Sequence, residues 1–234
     1  MNKDQSKSPL FRAVLWDFDG TIMDSQAGIL RSMRHSLETL GCEVPPAEEF
    51  GKWVGPSFPK SLRNWTSLDA AGVEEAGRIY KEHYEAFGAD EAEPFPGMTE
   101  LVHVLYQQGV PLGLATSKPC STAFRQLKGI GLLDLFSARG CASDDETRGS
   151  KIEVMSDAIE GLSHLSLKTS ELLMIGDRIH DFEASRELGV TCVAVRWGYG
   201  NPDEWAHADY QVDTPEELAA FCHNNVSEFL INVD

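Results

Sequence analysis

The sequence predicts an α/β protein: a parallel sheet core with an inserted all-helical segment. Two observations carry that reading. Short β-branched or aliphatic runs alternate with amphipathic helical patterns, the arrangement of βα units wound around a parallel sheet. One stretch, from about Ser25 to Ala92, breaks the alternation because it contains no convincing strand. The core is therefore assigned to residues 9–23 and 94–234, and the helical cap to residues 24–93.

Taken in order, the first strand is read at Arg12–Trp16. The helical block follows: Ile29, Met33, Leu37 and Leu40 recur at helical spacing and stop at Gly41, and Ala76, Ile79, Tyr80, His83 and Phe87 form a second apolar face before Gly88. The turn Pro94-Phe95-Pro96-Gly97 marks the return to the core. Further strands are expected at Pro111–Ala115, Ser137–Cys141, Glu171–Ile175, Thr191–Val195 and Tyr210–Val212. Runs such as Leu172-Leu173-Met174-Ile175 suit strands buried on both faces. Between them, helices are read at Met98–Gln108, Ser121–Lys128, Lys151–Glu160 and Ile179–Leu188. Each is closed by a glycine: Gly109, Gly129, Gly161 and Gly189.

Composition excludes several functions. The 234 residues carry 20 Lys+Arg against 37 Asp+Glu, a net charge of −17 that repels phosphate backbones and anionic lipid. The start, MNKDQSKSPL, lacks the apolar segment of a secretory signal, and no stretch approaches membrane-spanning length. Five cysteines without a CxxC pair argue against a disulfide framework or a structural zinc site and suit a reducing cytoplasm. The expectation is a cytoplasmic protein, monomer or homodimer, that handles a small molecule rather than nucleic acid or membrane.

Chemistry concentrates where strands end. The first strand runs into Asp17-Phe18-Asp19-Gly20-Thr21, and ligands of open parallel sheets bind beyond the carboxyl ends of strands. Asp17 and Asp19, at i and i+2, point to one side and are costly together unless a cation or proton separates their charges. Average residue usage yields the pattern D-x-D-G-T by chance only roughly a few times in a thousand chains of this length. A second strand ends in Thr116-Ser117-Lys118, before a helix starting near Pro119; hydroxyls and a helix N-terminus there suit phosphate oxygens, though a T-S pair in that position is commonly a plain cap. Lys151 opens a helix, against the macrodipole unless an anion lies nearby. Finally, Gly176-Asp177-Arg178-Ile179-His180-Asp181 follows a strand, with Asp181 one helical turn beyond Asp177, where an acid also suits a helix start.

In their joint order these motifs resemble the haloacid dehalogenase-like hydrolase superfamily, from about Phe11 to Phe221. Asp24-Ser25, Gly55-Pro56, Thr147-Arg148 and Trp197-Gly198-Tyr199-Gly200 look like its phosphoglycolate-phosphatase-type branch, whereas Ile152 and Gly55-Pro56-Ser57 depart from that branch's usual residues. The resemblance implies a Rossmann-like core with a C1 helical cap and a magnesium-dependent phosphatase acting on a small phosphate ester. It makes Asp17 the nucleophile, Asp19 the acid and base, and Lys151 the charge partner. Thr116, Ser117 and Lys118 bind substrate; Asp17, Asp19 (through its carbonyl), Asp177 and Asp181 serve the metal. Carbon–halogen hydrolysis on the same scaffold is disfavoured by Asp19 and Asp177; a phosphomutase, a 5′-nucleotidase and a pyrophosphatase remain alternatives. In that superfamily the cap closes over the leaving group, which implies specificity in its loops; Lys52, Trp53 and Arg63 lie in that block, where an ordinary surface or core role is the alternative for each.

Overall fold

The computed structural model describes residues 10–50, 53–54, 58–145 and 147–226. Lys52 and Gly55-Pro56-Ser57 lie outside the described residues. Strand β1 (Ala13–Trp16) alternates its side chains between two faces, as the pleat requires. Val14 and Trp16 enter one apolar cluster, and Ala13 and Leu15 the other. The chain then makes β2 (Met23–Asp24) and the helices α1 (Gln26–Thr39), α2 (Ala47–Phe50), α3 (Phe58–Trp65) and α4 (Ala70–His83). It returns through β3 (Glu93–Pro94), which pairs antiparallel with β2, so the two crossings into the helical block lie side by side.

The rest alternates: α5 (Met98–Gln107), β4 (Leu112–Pro119), α6 (Cys120–Gly129), β5 (Ala138–Ala142), α7 (Lys151–Gly161), β6 (Leu172–Gly176), α8 (Ile179–Leu188) and β7 (Thr191–Val195). A short α9 (Pro202–Trp205), β8 (Tyr210–Val212) and α10 (Pro215–Asn225) close it. Six parallel strands form one sheet in the order β5-β4-β1-β6-β7-β8. Successive strands step outward from β1 on one side and then on the other, so β1 lies at the switch point where a crevice opens beyond the strand ends. Helices α5, α6 and α10 cover one face and α7 and α8 the other.

The helical block has its own apolar cluster, built on Ile29, Met33, Leu37, Phe50, Trp53, Phe58, Leu62, Val73 and Ala76. No strand occurs among the described residues of 25–92.

Four local expectations are corrected. Phe87 is 60% exposed rather than part of the apolar face. A π-helical turn over Tyr84–Gly88 inserts one residue into the helical period, which turns Tyr84 inward and Phe87 out. Gly109 and Gly189 close their helices at φ of 74° and 69°, but Gly129 and Gly161 are the last helical residues, and Gly131 takes the left-handed turn after α6. Strand β4 runs on to Pro119 with a register shift against β5 after Thr116. Cysteines 120 and 141 are joined in a disulfide, Cα atoms 5.2 Å apart. Cys141 pairs with Thr116 across β4 and β5, so two residues 21 apart in sequence meet without any CxxC signature. Cys42, Cys192 and Cys222 are free thiols.

Candidate active site

A cavity of about 620 Å³ lies beyond the carboxyl ends of the central strands, between them and the helical block. Asp17, Asp19, Thr116, Ser117, Lys118, Lys151, Arg178 and Asp181 all line it. All eight come from four separate segments: the ends of β1 and β4 and the N-termini of α7 and α8. Parallel topology is what brings them together.

Lys151 is the hub. Its Nζ lies 2.7 Å from Asp17 Oδ1 and 2.8 Å from Asp181 Oδ1, and donates to the Ala115 carbonyl at 3.0 Å. A lysine at the first position of a helix is locally unfavourable, and two carboxylates outweigh that cost here. The helix is begun instead by Ser150 and Glu153, whose carboxylate accepts from the Ser150 N–H at 3.0 Å and its hydroxyl at 2.7 Å.

Asp177, fully buried at the tip of β6, accepts from the Thr21 hydroxyl at 3.2 Å and the Tyr199 N–H at 2.7 Å. Two glycines make this possible. Gly20, at φ 81°, and Gly198 each lie so close to the Asp177 carboxylate that a Cβ on either would collide with it. Asp181 accepts from the Arg178 N–H at 3.0 Å, so it caps α8 as well as binding Lys151.

Asp17, Asp177 and Asp181 offer oxygens within 4.8 Å of one another, all three buried. Burial pushes the Asp17 carboxyl up to about 6, with Lys151 pulling down and Asp181 pushing up. Burial, reinforced by Asp17 and Asp181, holds Asp177 well above the usual carboxylate range. For Lys151 burial works against the charge, but Asp17 and Asp181 outweigh it and raise its pKa. Three carboxylates and one ammonium leave an excess of negative charge, and an all-oxygen donor set of this kind can hold a hard divalent cation.

Asp19 faces elsewhere. Lys118 Nζ donates to its two oxygens at 2.8 and 3.0 Å, and the Ser25 hydroxyl also bonds Oδ1. Lys118, expected to bind substrate, thus has its ammonium bonded to Asp19 and to the Tyr84 hydroxyl, the latter at 2.9 Å. Thr116, 1% exposed, and half-buried Ser117 face the cavity, with Thr116 Oγ1 accepting from the Lys118 N–H at 3.2 Å.

Of the block residues singled out by sequence, Arg63 lines the cavity, whereas Trp53 is 2% exposed inside the block's own core. Sequence reasoning missed Tyr84, Tyr199, Glu204 and Trp205. The Trp205 indole donates to the Asp177 carbonyl at 3.1 Å, and Glu204 accepts from the Arg178 guanidinium at 2.9 Å and the Ile179 N–H at 3.0 Å. Tyr199 was visible only within Trp197-Gly198-Tyr199-Gly200, a stretch that carried part of the resemblance without giving the tyrosine a role. No helix among the described residues is long and apolar enough to cross a membrane.

A family model described as haloacid dehalogenase-like hydrolase matches residues 14–195. The tyrosine-protein kinase PtkA of Mycobacterium tuberculosis is 38% identical over 190 residues, covering 81% of this chain and 64% of that protein. This chain thus spans less than two thirds of that relative's length. A 5′-nucleotidase of Pseudomonas aeruginosa is 32% identical over 191 residues, covering 82% of this chain and 85% of the other. Among solved structures, one described as a predicted phosphatase from Clostridium acetobutylicum superposes with a TM-score of 0.83 at 28% identity, over 92% of this chain and 99% of that one.

Proposed function

Because the chain belongs to the haloacid dehalogenase-like hydrolases, we propose that it is a magnesium-dependent phosphatase that hydrolyses a small, phosphoglycolate-like phosphomonoester through an aspartyl-phosphate on Asp17. The observation that carries the reading is the buried group of Asp17, Lys151, Asp177 and Asp181 at the strand ends, with Asp19 two residues beyond Asp17.

Asp17 attacks phosphorus in line, and the bond to the leaving oxygen breaks. Asp19 protonates that oxygen. It then takes a proton from the water that attacks the aspartyl-phosphate, so inorganic phosphate leaves and Asp17 is restored. Lys151 offsets the charge that Asp17 shares with the phosphoryl group, while Thr116 and the Ser117 N–H hold its oxygens. The residues fit a magnesium ion: Asp17, Asp177 and the Asp19 carbonyl would hold it, with Asp181 acting directly or through water. When bound, that ion neutralises the charge between carboxylates and phosphate. We take the reaction to occur in the cytoplasm on dissolved small molecules, in keeping with a net charge of −17.

The test is phosphate release across a panel of phosphorylated metabolites with magnesium present. Preferential turnover of a small phosphocarboxylate supports the proposal; turnover led by nucleoside monophosphates or pyrophosphate moves it to the alternatives, and absence of any release ends it. A second reading, phosphorylation of protein tyrosine, is favoured by the 38% identity to PtkA. It predicts phosphotyrosine on a peptide acceptor supplied with ATP, a product the phosphatase reading excludes.

A further inference from the structure

A lysine placed after the hydroxyls at the end of β4 has an evident partner in a phosphate oxygen, yet Lys118 is occupied otherwise. Its side chain is 4% exposed. The ammonium donates to Asp19 Oδ1 at 2.8 Å, to Asp19 Oδ2 at 3.0 Å, and to the Tyr84 hydroxyl at 2.9 Å. An ammonium has three donors, and these acceptors use them all. The rings of Phe18 and Tyr84 lie 5.5 and 4.9 Å from the same nitrogen, which favours the cation at that spot and closes it to solvent. From the other side the Ser25 hydroxyl bonds Asp19 Oδ1. The Ser25 N–H in turn donates to the Tyr199 hydroxyl at 2.7 Å.

Asp19 is thus gripped by the end of β4 and by the entry to the helical block, while its side chain remains 22% exposed toward the cavity. Tyr84 belongs to the helical block, in the π-helical turn that inserts it inward, and Lys118 belongs to the core sheet. The carboxylate of Asp19 therefore has its orientation set by a contact that spans both parts of the molecule.

We infer that Lys118 is a positioning residue that acts through Asp19 rather than on phosphate, and that Tyr84 fixes Lys118, so that the helical block sets the aim of the acid. This rests on the phosphatase reading, in which Asp19 protonates the leaving oxygen. Proton transfer needs the donor within hydrogen-bond reach of one particular atom, and a side chain free to rotate loses that geometry. The binding of phosphate itself stays with Thr116, Ser117 and Lys151.

The deciding experiment compares two esters. An alkyl phosphate needs its leaving oxygen protonated; 2,4-dinitrophenyl phosphate does not. In Lys118→Met, kcat/KM for the alkyl ester falls roughly 100-fold more than for the dinitrophenyl ester, and inhibition by inorganic phosphate stays within about threefold of the parent. Tyr84→Phe keeps the ring and its packing, and shows the same selective loss at roughly several-fold. Equal losses on both esters with weakened phosphate inhibition make Lys118 a phosphate ligand and overturn the inference, as does an unchanged ratio in both variants. A readout independent of turnover covers misfolding. Acetylation by an amine-reactive ester, mapped by mass spectrometry, leaves Lys118 unlabelled under conditions that label exposed Lys128, and labels it in Asp19→Asn. Equal labelling of Lys118 and Lys128 in the unaltered protein overturns the grip. If the unaltered protein hydrolyses neither ester, the phosphatase reading falls and the labelling still decides whether Asp19 and Tyr84 hold Lys118.

Discussion

The floor of the cavity, at the strand ends, and its roof, from the helical block, are made of different material. On the floor, Asp17, Thr116, Lys151 and Asp181 line the cavity, and these four and Asp177 beside them are each less than 10% exposed. Their charged or hydroxyl groups are engaged by one another or by neighbouring backbone. On the roof, Ile29, Met33, Val54 and Phe58 supply apolar surface, and Lys60 and Arg63 are exposed cations with no ion pair among the described residues. Asp17 and Asp181 share Lys151, so a change in one of the three unbalances a buried charge in the others. Lys60 and Arg63 face open space, where substitution costs little stability, whereas the four apolar residues are also part of the block's own core. The geometry thus separates what handles phosphate from what meets the rest of a substrate.

The sharpest way to break that separation is at the nucleophile. Asp17→Asn keeps the shape and removes the attacking charge, so turnover should fall by roughly three orders of magnitude or more while the fold persists. Single-turnover phosphate release alongside circular dichroism checks both halves. Near-normal turnover would take the chemistry away from the floor.

Next in size is the response to cation and pH. Chelation with EDTA should abolish turnover and magnesium should restore it, with calcium a poor substitute because its coordination is looser. The Asp17 pKa of about 6 in the folded protein lies above its ordinary value of 3.8. Its contribution to stability is therefore complete below about pH 4 and lost as pH rises through about 6. Asp177 shifts in the same direction. Magnesium should accordingly raise the melting temperature more at pH 7.5 than at pH 5, as scanning calorimetry would show. Equal increments at the two pH values would mean that the three carboxylates are not the cation site.

The disulfide tests whether the floor depends on covalent support. Its 21-residue separation predicts that Cys120→Ala lowers stability under oxidising conditions by about 3 kcal/mol on the chain-entropy account. Reduction should bring the parent to the same level. Turnover should change little, because the segment leading to Thr116 is held by parallel pairing with β1 on one side and β5 on the other. A matching loss of activity would show that pairing alone does not hold the phosphate-binding turn.

The two regions also differ in how far they could be read from residues alone. All six core strands were legible, most plainly where aliphatic runs buried on both faces leave an unbroken apolar signal, as at Leu172–Ile175; β5 and the largely exposed β8 carry a weaker one. Asp17 and Asp177 were legible because each follows such a run directly. Asp19 was legible only as a position; its grip by Lys118 and Tyr84 joins residues 99 and 34 apart in sequence to Lys118 and leaves no local pattern. Phe87 was misplaced because a π-helical turn breaks the 3.6-residue period on which the assignment rested. Helix α10 carries an apolar face of only Leu218 and Cys222 in its buried set, too thin a stripe to declare itself. Cys120 and Cys141 meet through strand register, which spacing does not reveal.

The smallest expected effect lies on the roof. Lys60 and Arg63 sit on one helix, α3, three residues apart and so on one face, and both border the cavity. Lys60 is near enough to the opposite wall to help lower the pKa of His180, second to burial. Two cations bordering a cavity in a protein of net charge −17 favour a leaving group that carries its own negative charge. Each is exposed, so each contributes at most about 1 kcal/mol, which is about fivefold in KM. Lys60→Met with Arg63→Met should therefore raise KM for a phosphorylated carboxylic acid by roughly tenfold at low salt. The kcat for a neutral aryl phosphate, whose phosphoryl group meets only floor residues, should move less than about twofold. Raising the ionic strength should shrink the difference between parent and variant, since exposed charges are screened over about 8 Å at physiological salt. Equal effects on both substrates, or an effect indifferent to salt, would mean that the roof cations act on folding or on phosphate itself, and the division between floor and roof would not hold.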